Sequence, residues 1–211
     1  MPIPQLELGT WLMPFEIGDT YDAGLRALGD LSFAGEWAIT PFGGNIKDGA
    51  VVLGENPDMW FEVVPGTVLR ASISGFAIVS KNPDAITPEG NVIESQDWEI
   101  HIEFGGGNYW LEYDHVVDVL IENGTQVVAG QPLAKGAPAS IRHGGPGGDN
   151  PVEEFEWGIR HANFPGTCPF IYLTAEGQAD VLRGLDQIKA VGLPSGDGPC
   201  LQELVGEYYT G

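Results

Sequence analysis

Apolar and polar residues alternate through the middle of the chain, the pattern of strands with one buried face. Between residues 97 and 104 the apolar side chains hold the even positions, while the acidic residues and His101 hold the odd ones. A strand turns these two sets toward opposite faces of its sheet. The same reasoning predicts strands at Val51–Leu53, Trp60–Val64, Val68–Ala71, Phe76–Ser80, Val92–Phe104, Tyr109–Ile121, Val127–Ala129, Val152–Arg160 and Phe170–Leu173.

The two ends of the chain carry a different pattern. Residues 1–45 are predicted to be an irregular extension with one short helix from Thr20 to Leu31, weakened by its glycines. Apolar residues at helical spacing predict a second helix from an N-cap at Thr174 to Ile188, with Gly192 as its stop. We therefore expect a mainly β domain over 46–173, with the helix and tail of 174–211 packed on it.

The charge of the chain limits its partners. The 211 residues include 30 acidic and 9 basic side chains, a formal net charge of -21. Nucleic acids and anionic membranes attract basic surfaces, so neither is an expected partner, and no uncharged apolar run is long enough to insert into a bilayer. Cations, basic proteins or neutral glycans are compatible with this charge. Equally, the charge alone would keep the protein soluble or suit a salty environment.

The first residues and the cysteines bear on localisation. The sequence after Met1 lacks the basic and apolar segments of a secretory signal peptide. Cys168 and Cys200 are the only two cysteines. They predict either a disulfide that ties down the C-terminal segment in an oxidising compartment or two separate thiols.

Three spaced motifs resemble the lysostaphin-type zinc peptidases of peptidoglycan, the M23 family. Tyr113-Asp114-His115 matches the family's Tyr-x-His, and Gly124–Gln131 matches its Gly-x-x-Val-x-x-Gly-Gln. Upstream, 65–71 matches its Gly-Thr-x-Val-x-Ala stretch. The resemblance covers roughly 58–159 and implies a barrel-sandwich hybrid β fold. It also implies a cell-wall or surface association, and an extracytoplasmic or particle-associated location despite the missing signal peptide.

The metal motifs of that family are not matched. Where the family has His-x-His, this chain has Glu154 and Glu156, and no His-x-x-x-Asp precedes Gly66 because the first histidine is His101. Catalytic zinc is held by three protein ligands rich in His or Cys, whereas carboxylates suit calcium or magnesium. We therefore expect no cofactor: zinc is disfavoured, and calcium is the ion that carboxylates allow. The weak candidates for a metal site are Asp58, Glu62, Glu154 and Glu156.

The resemblance implies a vestigial site at Tyr113, His115, Glu154 and Glu156. Two glutamates on one strand face would repel each other unless a cation or Arg160 relieves them, so a salt-bridged relic and a calcium site are both open. The face around His101 is either a metal site or a solvated surface on which the acids raise the imidazole pKa.

Aromatic residues complete the candidate site. Trp110, Trp157 and Arg160 are candidates for a ligand groove, although aromatic residues on strands most often belong to the core.

These observations predict a catalytically inactive peptidase-like domain that serves as a binding or assembly module. Its expected partners are glycan, peptidoglycan or other proteins, with a homo-oligomer as one form of assembly. The alternative is an active metal-dependent peptidoglycan endopeptidase with a carboxylate-rich site.

Overall fold

The structure is a computed structural model. It describes the backbone of 15–17, 25–27, 32–33, 39–40, 45–48 and 51–55, and residues 58–63, 66–86, 89–104, 106–138, 153–161 and 164–175, with positions 178, 179, 182 and 186. The described part is dominated by strands: β1 Phe15–Ile17, β2 Leu25–Ala27, β3 Ser32–Phe33, β4 Ile39–Thr40, β5 Asn45–Asp48, β6 Val51–Glu55, β7 Met59–Val63, β8 Val68–Arg70, β9 Gly75–Lys81, β10 Ala85–Ile86, β11 Val92–Ile93, β12 Trp98–Phe104, β13 Tyr109–Val117, β14 Thr125–Val127, β15 Pro132–Pro138, β16 Glu153–His161 and β17 Phe164–Thr167. The mainly β prediction is confirmed.

Most of these strands belong to one antiparallel sheet. Its main path runs β1-β2-β3-β7-β16-β15-β13-β12-β9-β14, while β4 pairs with β7, β8 with β15 and β17 with β16. β16 also pairs with β13, so β7, β16, β13, β12 and β9 lie side by side. The two smaller sheets are β5 with β6 and β10 with β11.

One face of the side-by-side strands forms the core. Alternate residues of β12, β13 and β16 are fully buried there, as the sequence pattern requires. Phe61 of β7 and Phe155 of β16 stack with their ring centroids 5.0 Å apart. The core includes Met59, Phe61, Leu69, Ile100, Ile102, Leu111, Tyr113, Val116, Leu133, Phe155, Trp157 and Ile159.

Several predicted elements differ from the structure. The helix expected over Thr20–Leu31 is wrong, because Leu25–Ala27 is a strand paired with β1. The strand expected at Phe170–Leu173 is a 3-10 helix, Pro169–Tyr172; proline fixes φ near the helical value at its start. The strand expected at Val92–Phe104 is two strands, β11 and β12.

The long strand expected over Tyr109–Ile121 ends early, at Val117. His115 and Asp118 have φ of 57° and 48°, in the left-handed region that breaks extended backbone. A turn follows at Asn123-Gly124, where Gly124 has a φ of 79°. Glycine is favoured there because it has no Cβ to clash in that conformation.

The C-terminal segment is described in part. Ala175, Gln178, Ala179, Leu182 and Asp186 are helical, and Gln178 N donates to Thr174 O at 2.9 Å, in agreement with a helix that begins near Thr174. The rest of that predicted helix lies outside the described residues. Cys168 is disulfide-bonded, and Cys200 lies outside the described residues. Within the described residues, no helix is both long and apolar enough to cross a membrane.

Candidate functional site

The sheet face opposite the core is lined by charged side chains, which we call the polar face. It is built from cross-strand pairs: His101 faces Glu112, Trp110 faces Arg160, and Asp114 faces Glu156. Its members are Asp58, Glu99, His101, Trp110, Glu112, Asp114, Glu154, Glu156 and Arg160. Asp58, Glu112, Glu154 and Glu156 are all at least nine-tenths buried. Burying a carboxylate costs free energy unless it has an ion-pair or hydrogen-bond partner. The partners of these four acids therefore determine the chemistry of this face.

Arg160 compensates two of these acids. Its Nη2 donates to Asp58 Oδ2 at 2.5 Å, and its Nε donates to Glu112 Oε2. The side chains of Asp58 and Glu112 are only 2% and 8% exposed. Burial raises the pKa of Asp58 well above its ordinary value, Arg160 opposes the rise, and Glu112 and Glu156 add to it. Burial would lower the pKa of Arg160, but Asp58 and Glu112 outweigh it and raise that pKa.

Gly158 makes room for this ion pair. It lies on β16 between Glu156 and Arg160, directly opposite Glu112. A Cβ at position 158 would overlap the Asp58 carboxylate. Glycine is therefore required here by close approach of a side chain, and its φ is not in the left-handed region.

His101 is the imidazole of a first cluster. Its Nε2 pairs with Glu99 Oε1 and lies 3.9 Å from Glu112 Oε1. Burial would lower the pKa of His101, but the hydrogen bonds and charges of Glu112 and Glu99 raise it to about 9. The ring also lies 5.8 Å from the ring of Trp110. His101 is thus an imidazolium at neutral pH. The acids raise its pKa as predicted, but its side chain is only 23% exposed, so it does not lie on the solvated surface expected there.

His115 belongs to a second cluster. Its Nδ1 lies 2.5 Å from Asp97 Oδ2, and its Nε2 lies 3.6 Å from Asp114 Oδ2. Asp114 Oδ1 accepts from the His115 backbone N–H at 2.6 Å and from Asn82 Nδ2 at 2.7 Å. Asp114, His115 and Glu156 each place one donor atom within 4.8 Å of the other two.

The structure brings together some of the predicted vestigial residues. His115 and Glu156 meet in the second cluster, and Glu154 is buried two positions from Glu156 on the same strand. Tyr113 instead lies in the core, where its hydroxyl accepts from Ser72 N at 2.8 Å and donates to Arg70 O at 3.0 Å. Burial raises the pKa of Tyr113 to about 12.

The predicted groove residues are divided between the two faces. Trp110 is half-buried on the polar face, and Arg160 is held there by its carboxylates. Trp157 is fully buried in the core, so its ring does not face a groove. The side chain of Glu62 lies outside the described residues. Sequence reasoning missed Glu112 and Asp114 as partners. Only the strand register places Glu112 opposite His101 and Asp114 opposite Glu156.

The donors of the polar face do not fit the zinc set of the resembled family. That set needs neutral imidazoles, whereas Glu154 and Glu156 occupy the His-x-His positions and His101 is protonated at neutral pH. Asp58 and Glu112 already share the guanidinium of Arg160. Among the described residues, Asp114, His115 and Glu156 form another set of metal-ligating side chains, with one imidazole and two carboxylates.

No family model matches the chain, and no curated protein matches it. Solved structures do match. The catalytic domain of the prophage-encoded M23 protein EnpA from Enterococcus faecalis, in a mutant form, is 16% identical over 65% of this chain and 93% of that one, with a TM-score of 0.40. Lysostaphin from Staphylococcus simulans is 16% identical over 84% of this chain and 56% of that one, with a TM-score of 0.46. A chain of the SpoIIQ-SpoIIIAH pore forming complex is 18% identical over 54% of this chain and 63% of that one, with a TM-score of 0.36.

Two of these three structures are M23 peptidases, the family that the sequence motifs resemble. The chain is similar to them in fold, and its function must be inferred from the residues of its own polar face.

Proposed function

We propose that this domain is a peptidase-like module that binds a partner without hydrolysing it. The observation that carries the proposal is the guanidinium of Arg160 between the buried carboxylates of Asp58 and Glu112. A fixed internal cation there balances negative charge that a metal ion would otherwise balance. The part of the polar face around Arg160 is thereby a charge-paired surface.

The state of the imidazoles supports the same proposal. A catalytic zinc ion, which lowers the pKa of its bound water to about 7, is held by three protein ligands rich in His or Cys, with water at the open fourth position. His101 is held as an imidazolium by Glu99 and Glu112, and a protonated ring has no lone pair for a metal. Glutamates at both positions of the family's His-x-His also support a module that does not hydrolyse its partner.

The net charge of the chain favours particular kinds of partner. The chain carries 30 acidic against 9 basic residues, which suits a neutral glycan or a protein with a basic surface. We propose peptidoglycan or a protein of an extracytoplasmic or particle-associated assembly as that partner, including further copies of this chain.

Hydrolysis and binding can be separated in one experiment. The purified protein is incubated with dye-labelled peptidoglycan and added zinc, and both the dye released and the protein sedimenting with the insoluble fraction are measured, with lysostaphin as the active control. We expect no release above buffer. Zinc-dependent release by the wild-type protein, lost in Glu156→Gln, would overturn the proposal.

An active metal-dependent peptidase is the second candidate, and one observation favours it. Asp114, His115 and Glu156 form a set of metal-ligating side chains on the polar face. If that set supported hydrolysis, release of dye would require metal and would fall in His115→Asn but not in a variant of the exposed Lys81.

A further inference from the structure

The second cluster has the dimensions of a cation site. The ligand atoms of Asp114, His115 and Glu156 all lie within 4.8 Å of one another. Ligands bound at about 2.0–2.2 Å to one ion are separated by about 3 Å when adjacent and by just over 4 Å when opposite. A small movement of these side chains would therefore place all three around a single ion.

Asp97 is not a member of the second cluster, but its carboxylate contacts the imidazole ring of His115. The Nδ1 atom of His115 lies 2.5 Å from Asp97 Oδ2, and Ser95 Oγ donates to the other Asp97 oxygen at 2.5 Å. Asp97 is itself only 5% exposed. Metal-binding histidines usually donate their second ring N–H to a carboxylate, which fixes the ring and its tautomer. With Nδ1 committed to Asp97, Nε2 is the nitrogen that faces Asp114 and is available to an ion.

The backbone conformation at His115 also contributes to the second cluster. Asp114 and His115 are consecutive residues of β13, and in regular strand geometry their side chains would point to opposite faces of the sheet. His115 instead has a φ of 57°, and both side chains reach the same cluster. Left-handed backbone is uncommon at non-glycine residues and is concentrated at functional sites.

From this geometry we infer that Asp114, His115 and Glu156 bind a divalent transition cation of the Mn²⁺ or Zn²⁺ class, with Asp97 as the positioning residue. One imidazole nitrogen with two carboxylates suits these ions better than calcium, which takes oxygen ligands. The ion would join β13 to β16 and neutralise part of the acidic cluster. This structural role goes beyond the proposed function and does not require hydrolysis.

The first cluster provides a matched control within the same sheet. Glu99, His101 and Glu112 offer the same ligand types at similar spacing. There, however, Arg160 already pairs with Glu112, and the Nε2 atom of His101 is already paired with Glu99 Oε1. We infer that a cation enters only the second cluster, so a substitution at His101 should leave cation binding unchanged.

The test is a titration of the chelator-treated full chain with MnCl₂, in which free Mn²⁺ is followed by electron paramagnetic resonance. We expect one ion per chain in the wild-type protein and displacement of Mn²⁺ by Zn²⁺. His115→Asn should weaken binding at least about tenfold, because asparagine tolerates the left-handed backbone but removes the imidazole. Asp97→Asn should weaken it by about 10–100-fold, the range for residues that orient a ligand. His101→Gln should bind as the wild type does.

Several results would overturn the inference: no binding at sub-millimolar Mn²⁺, unchanged binding in His115→Asn, an equal loss in His101→Gln, or displacement by Ca²⁺ as effective as that by Zn²⁺. Glu156→Gln provides a second ligand variant, so the result does not depend on the folding of one protein. Circular dichroism of each variant is compared with wild type before titration. Peptidoglycan release is measured separately, so an ion without hydrolysis and hydrolysis itself are distinct results.

Discussion

Arg160 is the cation that compensates two buried acids of the polar face. It pairs with Asp58 and Glu112, whose side chains are 2% and 8% exposed. Removing one partner of a buried ion pair leaves uncompensated charge and typically costs about 3–5 kcal/mol. We predict that Arg160→Met lowers the free energy of unfolding by about this amount, as measured by urea denaturation at neutral pH.

A surface ion pair gives the control for that prediction. Lys81 Nζ lies 2.8 Å from Glu94 Oε1, with the two side chains 40% and 78% exposed. Water and salt screen exposed pairs, so Lys81→Met should change stability little. Equal losses in the two variants would mean that Arg160 does not act through buried charge.

His101 should make stability depend on pH. Its folded-state pKa of about 9 lies above the ordinary 6.5, so folding favours the protonated ring. The resulting stabilisation is complete below pH 6.5 and is lost as the pH rises through 9. We predict that the free energy of unfolding falls by about 1–3 kcal/mol between these pH values. Urea denaturation at a series of pH values measures the fall, and His101→Gln should remove most of it. A wild-type profile that is flat or rising across this range would contradict the assignment.

Gly158 of β16 lies against Asp58, the residue before β7, and this contact requires that position 158 has no side chain. A Cβ at Gly158 would overlap Asp58, so Gly158→Ala should destabilise the protein by about 1–3 kcal/mol, as overpacking usually does. If the overlap is the cause, the same substitution should cost far less in an Asp58→Ala background. Thermal unfolding of the two single variants and the double variant measures this non-additivity.

Gly75 on β9 is the matched comparison. A Cβ there would overlap the backbone carbonyl of Glu103, which no side-chain deletion can relieve. Gly75→Ala should therefore cause the same loss of stability in the wild-type protein as in the Asp58→Ala background. If Asp58→Ala rescued both glycine variants alike, its effect would be general and not local to β16.

The strands differ in how far local sequence determines them. β16 was predicted to within one residue, because the alternation over 152–160 is regular. The end of β13 was not predicted, because the pattern of apolar residues does not indicate the left-handed backbone of His115. Phe170–Leu173 is too short an apolar run to separate a strand from the 3-10 helix that forms.

The residues of the candidate site also differ in how far the sequence predicts them. Motifs alone indicated His115 and Glu156. Asp114 opposite Glu156 depends on strand register, and Asp97 behind His115 depends on contacts between residues far apart in sequence.

Charge acts across the whole chain as well as within the polar face. The chain has a formal net charge of -21 on 211 residues, so acidic side chains far outnumber basic ones. Self-repulsion destabilises the compact state relative to the expanded one, and salt screens it. The Debye length falls from about 30 Å at 0.01 M salt to about 3 Å at 1 M. Added salt should therefore stabilise this protein, although it weakens individual surface ion pairs.

We predict that NaCl raises the midpoint of thermal unfolding at pH 7, by about 2–4 °C for each kcal/mol of repulsion removed in a chain of this size. The control is the same titration near pH 4, close to ordinary carboxyl pKa values, where much of the negative charge is neutralised and the effect of salt should shrink. A specific divalent cation would act differently, saturating at low concentration and losing its effect in His115→Asn. If NaCl stabilised the protein equally at both pH values, net charge would not be the cause, because screening requires charges to screen.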